Sequence, residues 1–347
     1  MSELKEVTIY DLARKLNISA TTVSRGLQNH PAISEKTKKK IFELVEELGY
    51  RSNHFARNLR QQQTKTLGVI VPRLNSVFMA SVIAGMESVA NTEGYNLIIS
   101  QSSESSQKEE ASVRTLFHNR VDGLLVSLAY DTTNLLHFDA FHKKNIPVIF
   151  FDRTMENNYY TSVLIDNRKA AYTITRHLIE QGCRNLVHIT ALQHLNVYKE
   201  RLAGFKEALA DFDLPFKKEN VLTGNLSMEA GRAAAEEILQ MPVLPDGVFV
   251  ANDDGAVGCM LTLKQHGIRI PEDIAFAGFN NDAVAQVIEP NLTTIHYPGY
   301  KMGETATRHL INHLTGVSPI DQTNTIILRS ELLIRASSLK KIMDPNT

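Results

Sequence analysis

Over the first fifty positions apolar residues recur at helical spacing, and from position 66 they gather into short continuous runs. Ile9, Leu12, Ala13 and Leu16 fall at i, i+3, i+4 and i+7, one face of a helix, with Thr8 at the N-cap position. Asn17-Ile18-Ser19 breaks that pattern. Val23 and Leu27 then mark a second helix and leave Ala20, Thr21, Thr22, Ser24 and Arg25 facing outward. A third helix starts after Ser34 and Thr37, carries Ile41, Leu44, Val45 and Leu48 on one face, and stops at Gly49. The segment Asn53–Arg60 is helix-like but too short to hold a helix alone, since about 12–15 residues are needed. It is expected to order only against a partner.

Beyond the polar stretch 61–65 the pattern changes. Thr66–Val71 is a continuous apolar run, as fits a parallel strand covered on both faces. Helical stretches through Val82–Val89, Val113–Phe117 and Leu135–His142 alternate with strands at Tyr95–Ser100, Gly123–Val126 and Val148–Phe151. A second series starts near 165, with strands at Leu186–Thr190, Asn220–Thr223, Gly247–Ala251 and Ile274–Gly278. Such βαβ alternation predicts two similar doubly wound lobes. Thr293–His296 reads as a strand returning to the first lobe, and Thr325–Leu328 with Leu332–Ile334 as a return to the second. The expected organisation is a head (1–60, hinge 53–60), a linker (61–65) and a two-lobed body (66–340). Lobe one takes 66–164 and 296–323, and lobe two takes 165–294 and 325–340.

Charge follows the same division. Residues 1–65 hold 12 Lys and Arg against 7 Asp and Glu, and the remaining residues 25 against 31. A near-neutral total of −1 therefore hides a basic head on an acidic body. Two short helices joined by a tight turn, the second bearing small polar residues and an arginine, suit entry into a DNA major groove. A basic head fits contact with phosphates. Lys38-Lys39-Lys40 also reads simply as a solvated helix face, and a helix-turn-helix pattern by itself also occurs in proteins that never touch DNA.

The run T-I-x-D-L-A-x-x-L-N-I-S-x-x-T-V-S-R-x-L from Thr8, the S-E-x-T-x-x-x-I start of the third helix, and L-G-Y-x-x-N-x-x-A-R-x-L up to Leu59 resemble the LacI/GalR family of transcription factors. The resemblance runs on to about residue 338 and implies a small all-α helix-turn-helix head with a periplasmic-binding-protein-like α/β sensor. It implies paired hinge helices in the minor groove, with Leu59 as the wedge that opens the central step of a near-palindromic operator. Leu59 taken alone would also read as a core leucine. The expected DNA-contacting set is Thr8, Ala20, Thr21, Thr22, Ser24, Arg25, Asn29, Asn53, Ala56, Arg57, Leu59 and Arg60. Expected partners are double-stranded DNA, a second copy of the chain and a small effector, a sugar or sugar derivative; no cofactor or metal is expected.

In open α/β sheets ligands bind beyond the carboxyl ends of the strands. Residues following the strands are Asn75, Val77 and Phe78, then Ser102, then Asp152 and Arg153. In the second lobe they are Leu226, Asn252, Asp253 and Asn280, with Arg201 and Tyr198 on an adjoining helix. Carboxylate, amide and guanidinium groups suit a polyhydroxyl ligand. The strings PVIFFDR, RLAGF, FVANDD, AGFNND and EPNLTTI are similar to stretches around the family's effector pocket. The resemblance also implies an aspartate where Asn280 stands and an aromatic where Leu226 stands. With no Trp in the chain, stacking falls to Phe78, Tyr198 or Phe279. Plainer readings exist: Asp253 and Asp282 as helix caps, Arg201 as a surface ion-pair partner, Asn280-Asn281 as a turn, and His309 with His313 as helix surface rather than a metal pair.

No stretch of eighteen apolar residues is present, and the charged N-terminus does not read as a secretory signal. Cys183 and Cys259 lack CxxC spacing and read as reduced thiols of a cytoplasmic protein. No GxGxxG, P-loop, GxSxG or HExxH motif is present, so an enzyme reading finds no catalytic motif. The competing readings are a solute-binding protein and a sugar-handling enzyme on the same fold.

Overall fold

The computed structural model describes residues 7–27, 29–50, 63–155, 159–320 and 324–340. The chain divides into two compact units, Met1–Thr64 and Lys65–Thr347. The hinge segment 53–60, and with it Asn53, Ala56, Arg57, Leu59 and Arg60, lies outside the described residues.

The first unit is a three-helix head: α1 (Ile9–Leu16), α2 (Ala20–Leu27) and α3 (Glu35–Leu48). Leu12, Ala13, Val23, Ile41 and Leu44 close its core, flanked by Ile9, Leu16, Leu27, Val45 and Leu48. The α1–α2 turn rests on Asn17, which ends α1 at φ 53, a left-handed conformation that Asn tolerates well. Ser34 caps α3 by accepting the Thr37 N–H, and Gly49 ends it at φ 61. Lys38 departs from the solvated-face expectation: it is buried and pairs with Glu35 at 2.6 Å, because its stem lies along the core side of α3.

The second unit holds two parallel sheets. The first has the order β11-β5-β4-β3-β1-β2, and the second β7-β6-β8-β9. The first is built from β1 (Thr66–Val71), β2 (Asn96–Gln101), β3 (Gly123–Val126), β4 (Val148–Phe151), β5 (Thr161–Ile165) and β11 (Thr325–Leu328). The second comprises β6 (Leu186–Thr190), β7 (Val221–Thr223), β8 (Gly247–Val250) and β9 (Ala275–Ala277). In both, the second strand lies outside the first and the third inside it, so each lobe reverses direction between its first and third strands. Such a reversal opens a crevice for ligand. Alternation along β1 sends Leu67, Val69 and Val71 to one packed face and Ile70 to the other.

Two strand assignments differ from expectation. Thr161–Ile165 was not anticipated as a strand, and Thr325–Leu328 pairs in parallel with it, Thr325 opposite Ser162. Thr325–Leu328 therefore completes the first lobe's sheet instead of the second's, and the return to lobe two falls after Leu328. An apolar run of four residues does not encode which sheet edge it joins; that is decided by long-range pairing. Thr294–His296 (β10) pairs antiparallel with Glu331–Leu333 (β12), forming a two-stranded ribbon of crossover segments. Bridges from Thr293 to Ala277 and from His296 to Asn280 attach it to lobe two. The helix expected near Leu135–His142 is a 3-10 turn, Leu136–Phe138, running into a short α-helix, Asp139–Lys143.

Helix α4 (Val77–Thr92) packs closely on the helix Gly299–Leu314 through glycines. A Cβ on Gly303 would lie 1.9 Å from the Val82 carbonyl oxygen, and one on Gly85 2.0 Å from that of Tyr300. Gly303→Ala is expected to destabilise the body by about 1–3 kcal/mol, since backbone cannot yield as a flexible side chain does. A urea melt of the variant beside the parent checks this. Among the described residues no helix is long and apolar enough to cross a membrane.

Candidate functional site

The head presents its polar face on α2. Thr21 and Arg25 are exposed, Ser24 and Ala20 are half-buried, and Asn29 follows exposed at φ 55. The Thr22 hydroxyl is engaged with Ser19 at 2.8 Å, and the Thr22 N–H donates to the Ser19 hydroxyl at 3.1 Å, which fixes the start of α2. Thr8 performs the same service for α1: its N–H and hydroxyl donate to the Asp11 carboxylate at 2.9 and 2.6 Å. Tyr10, which sequence reasoning passed over, is 67% exposed on α1. A phenol so exposed is a ready donor to a phosphate oxygen.

In the body one cluster collects Phe78, Asp152, Arg153, Tyr198 and Arg201 as anticipated. Asp152 and Arg153 stand at the carboxyl end of β4, in lobe one. Tyr198 and Arg201 come from the helix Asn196–Asp211 (hereafter the Arg201 helix) in lobe two. Arg201 is buried and is no surface ion-pair partner: its Nε donates to Asn167 Oδ1 at 2.9 Å and its Nη1 to the Ala251 carbonyl at 2.6 Å. Its guanidinium lies 3.6 Å from the centre of the Phe279 ring. The Asp152 carboxylate accepts the Tyr297 hydroxyl at 2.9 Å and the Ser127 hydroxyl at 3.2 Å. Arg153 donates to Glu104 at 2.7 Å and lies over the Tyr198 ring. Phe78 stacks on Tyr297 with ring centres 4.4 Å apart. The three aromatics expected to stack on a ligand are thus already paired, Tyr198 and Phe279 with guanidiniums and Phe78 with Tyr297. Burial raises the Asp152 carboxyl above the usual carboxylate range, opposed by Arg153 and Arg201 and by the two hydroxyls.

Of the other expected residues, Asn280 joins the cluster through its carbonyl, which accepts the Tyr297 N–H at 3.2 Å. Asn75 and Val77 are exposed, and Ser102 is fully buried with its hydroxyl toward the Val71 carbonyl. Asn252 caps the helix Asp253–Gln265, accepting the Gly255 N–H at 3.0 Å, and donates to the carbonyl of Leu226 at 2.8 Å. Asn280, at φ 118, donates through its side chain to Asp282 at 3.2 Å. Asp253 is not the cap. Its wholly buried carboxylate accepts the Thr294 hydroxyl at 2.7 Å and the Asp282 N–H at 2.8 Å, tying lobe two to the crossover ribbon.

Burial pushes the Asp253 carboxyl up to about 8, and that of Asp282 up to about 6. An unfolded chain ionises both near pH 4. Stability contributed by their protonated forms is therefore present below about pH 4 and is lost as pH rises through 6 and 8. The melting temperature of the body is expected to fall between pH 6 and pH 8.5, with a shallower fall for Asp253→Asn. Thermal melts across that range check it.

Five residues of the cluster escaped sequence reasoning: Glu104, Ser127, Asn167, Asn196 and Tyr297. Ser127 directly follows β3, and Asn167 lies two residues past the unanticipated β5, so the strand-end rule reaches both. Tyr297 follows the crossover strand β10 in the same way. Glu104 lies three residues past β2, within reach of the same rule, and Asn196 lies farther on, six residues past β6.

Residues 64–333 match the family described as periplasmic binding proteins and sugar binding domain of LacI family. Residues 8–53 match the bacterial regulatory proteins of the lacI family. The chain is 31% identical over 309 residues to catabolite control protein A of Priestia megaterium, covering 89% of this chain and 92% of that protein. It is 30% identical to the HTH-type transcriptional repressor PurR of Vibrio parahaemolyticus, covering 96% of this chain and 99% of the other. Among solved structures it resembles the complex of transcriptional regulator CelR with cellobiose, at 25% identity and TM-score 0.73, covering 96% of this chain and all of that one. With both parts matched in order, a helix-turn-helix head ahead of a two-lobed sensor, the chain belongs to the LacI family of bacterial transcriptional regulators.

Proposed function

We propose that this regulator is a dimeric repressor whose grip on a near-palindromic operator is set by a sugar or sugar derivative bound between its two lobes. The observation that carries the reading is the cluster of Asp152, Arg201 and Tyr297, where groups from both lobes and from the crossover ribbon converge. Paired donors and acceptors beside aromatic rings are what a polyhydroxyl ring requires. The relative bound to cellobiose supports the ligand class, and the relative named a repressor supports the direction.

In this mechanism Thr21, Arg25 and their neighbours read base edges, and Tyr10 and Thr8 steady the head on phosphates. Two heads on a symmetric dimer demand two half-sites. The segment 53–60 orders in the minor groove with Leu59 as wedge. Ligand alters the angle between the lobes, and with it the cost of ordering the two hinges together. A ligand that prefers one state by about 100-fold shifts the equilibrium by roughly 2.7 kcal/mol, enough to release the operator or to hold it. The protein acts by binding, without turnover, in the cytoplasm where its DNA lies.

The test is a thermal-shift screen of monosaccharides, disaccharides and their phosphates on the purified chain. A true effector at about 100 times its Kd stabilises the body by roughly 2.7 kcal/mol, a rise of several degrees. A response confined to nucleobases, with none from any sugar, would replace the proposed ligand class.

A further inference from the structure

Asp152 holds its effector-facing carboxylate on a left-handed backbone, at φ 57. Aspartate and asparagine enter this region more readily than most residues other than glycine, and local hydrogen bonds decide whether they stay there. Within lobe one the Asp152 N–H donates to the Val163 carbonyl at 3.2 Å, and the other support comes from the second lobe. Asn196 opens the Arg201 helix of lobe two, and its side chain reaches across to the backbone around Asp152. The Thr154 N–H donates to Asn196 Oδ1 at 2.9 Å, and Asn196 Nδ2 donates to the Asp152 carbonyl at 3.1 Å. The Asn196 N–H donates back to the Thr154 carbonyl at 3.4 Å.

A second clasp lies along the same seam. The Leu192 N–H, from the loop after β6, donates to the Tyr130 hydroxyl at 3.1 Å, and His194 Nε2 meets the Tyr130 carbonyl. Tyr130 belongs to the loop after β3 in lobe one. The lobes are therefore bridged by side chains distinct from those that face the expected ligand, and one bridge ends on the residue that carries the site's carboxylate.

From this geometry we infer that Asn196 is a positioning residue: it makes the conformation of Asp152 conditional on the angle between the lobes. With the lobes together, the amide satisfies both backbone groups and the carboxylate is aimed at Tyr297 and Ser127. With the lobes apart, the Thr154 N–H and the Asp152 carbonyl lose their partners, and the left-handed turn keeps only its lobe-one bonds to Val163 and Leu128. Ligand affinity and lobe closure then become one equilibrium, the requirement for a ligand to bias a two-state element. An amide suits this position because its oxygen accepts from Thr154 while its nitrogen donates to Asp152.

The proposal rests on the effector reading of Asp152, yet its test uses neither DNA nor effector. Spin labels are placed on the exposed positions of Glu110→Cys in lobe one and Glu236→Cys in lobe two. Cys183 and Cys259, both fully buried, remain unlabelled. The distance distribution is measured by double electron–electron resonance in the full chain, together with hydrogen exchange of the Thr154 amide. The parent, mixed with an excess of unlabelled chain so that a dimer carries one labelled protomer, is expected to show one narrow distance. Asn196→Ala is expected to add a population at longer distance and to speed Thr154 exchange at least about tenfold, the scale of one lost hydrogen bond.

Asn196→Asp, which keeps the acceptor and loses the donor, is expected to fall between the two, and it serves if Asn196→Ala fails to fold. A lower melting temperature with the parent's distance distribution would make Asn196 a packing side chain and overturn the inference. Altered distances together with no response to any sugar would leave the clamp standing and remove the proposed ligand class instead.

Discussion

Arg25→Ala is expected to weaken operator binding more than any other single exchange in the described head. Arg25 is exposed in the last turn of α2, on the face opposite Val23, so its side chain is free to extend from the helix. A bidentate arginine–guanine contact is worth about 1–3 kcal/mol of discrimination, and a dimer makes it twice, giving roughly 2–6 kcal/mol per operator. Stability should not change, because the core of the head is made by Leu12, Val23, Ile41 and Leu44. Fluorescence anisotropy on labelled duplexes checks the loss. The same titration on duplexes changed at one symmetric pair of positions should show specificity relaxed there and nowhere else. A uniform loss across all duplexes would make Arg25 a phosphate contact.

The second large effect is expected at Arg201→Lys. The guanidinium lies over the Phe279 ring, 3.6 Å from its centre, while its Nε and Nη1 donate to Asn167 and the Ala251 carbonyl. A lysine ammonium keeps the charge but offers a single point of contact, so it cannot hold both acceptors and lie against the ring. The affinity for the sugar recovered from the thermal-shift screen should fall about 10–100-fold, the scale of one or more hydrogen bonds to a charged group. Operator affinity without ligand should stay at the parent's value. Calorimetric titration gives the first quantity and anisotropy the second. Parent-like sugar affinity would place the ligand away from Arg201.

The helices of the head were legible because each closes its own face within a dozen residues. Ile9, Leu12, Ala13 and Leu16 specify α1 without reference to the rest of the chain, and Ser34 and Gly49 mark the two ends of α3. The strand-end rule reached Phe78, Asp152 and Arg153, members of the cluster, because chain direction alone places residues after a strand at the crevice of a parallel sheet. That rule says nothing about whether a side chain turns inward or outward. Ser102 and Asp253 accordingly proved buried within the protein, while Asn75 and Val77 are exposed.

What escaped was long-range. The strands Thr161–Ile165 and Thr325–Leu328 identify each other only by pairing across 160 positions of sequence. Tyr297 acquires its role from Asp152, 145 residues earlier, and Asn196 from a backbone turn 44 residues earlier. In isolation each is an ordinary polar residue near the end of a secondary-structure element. The switch proposed here is built from such contacts, which is why the sensor was readable as a fold before it was readable as a mechanism.

The central claim is ligand-gated, sequence-specific DNA binding, and it is tested most directly by selecting duplexes from a random pool with the purified full-length chain, once alone and once with pooled sugars. The account predicts enrichment of a near-palindrome with a flexible pyrimidine–purine step at its centre, under one of the two conditions and reduced in the other. Enrichment of no sequence under either condition would contradict it.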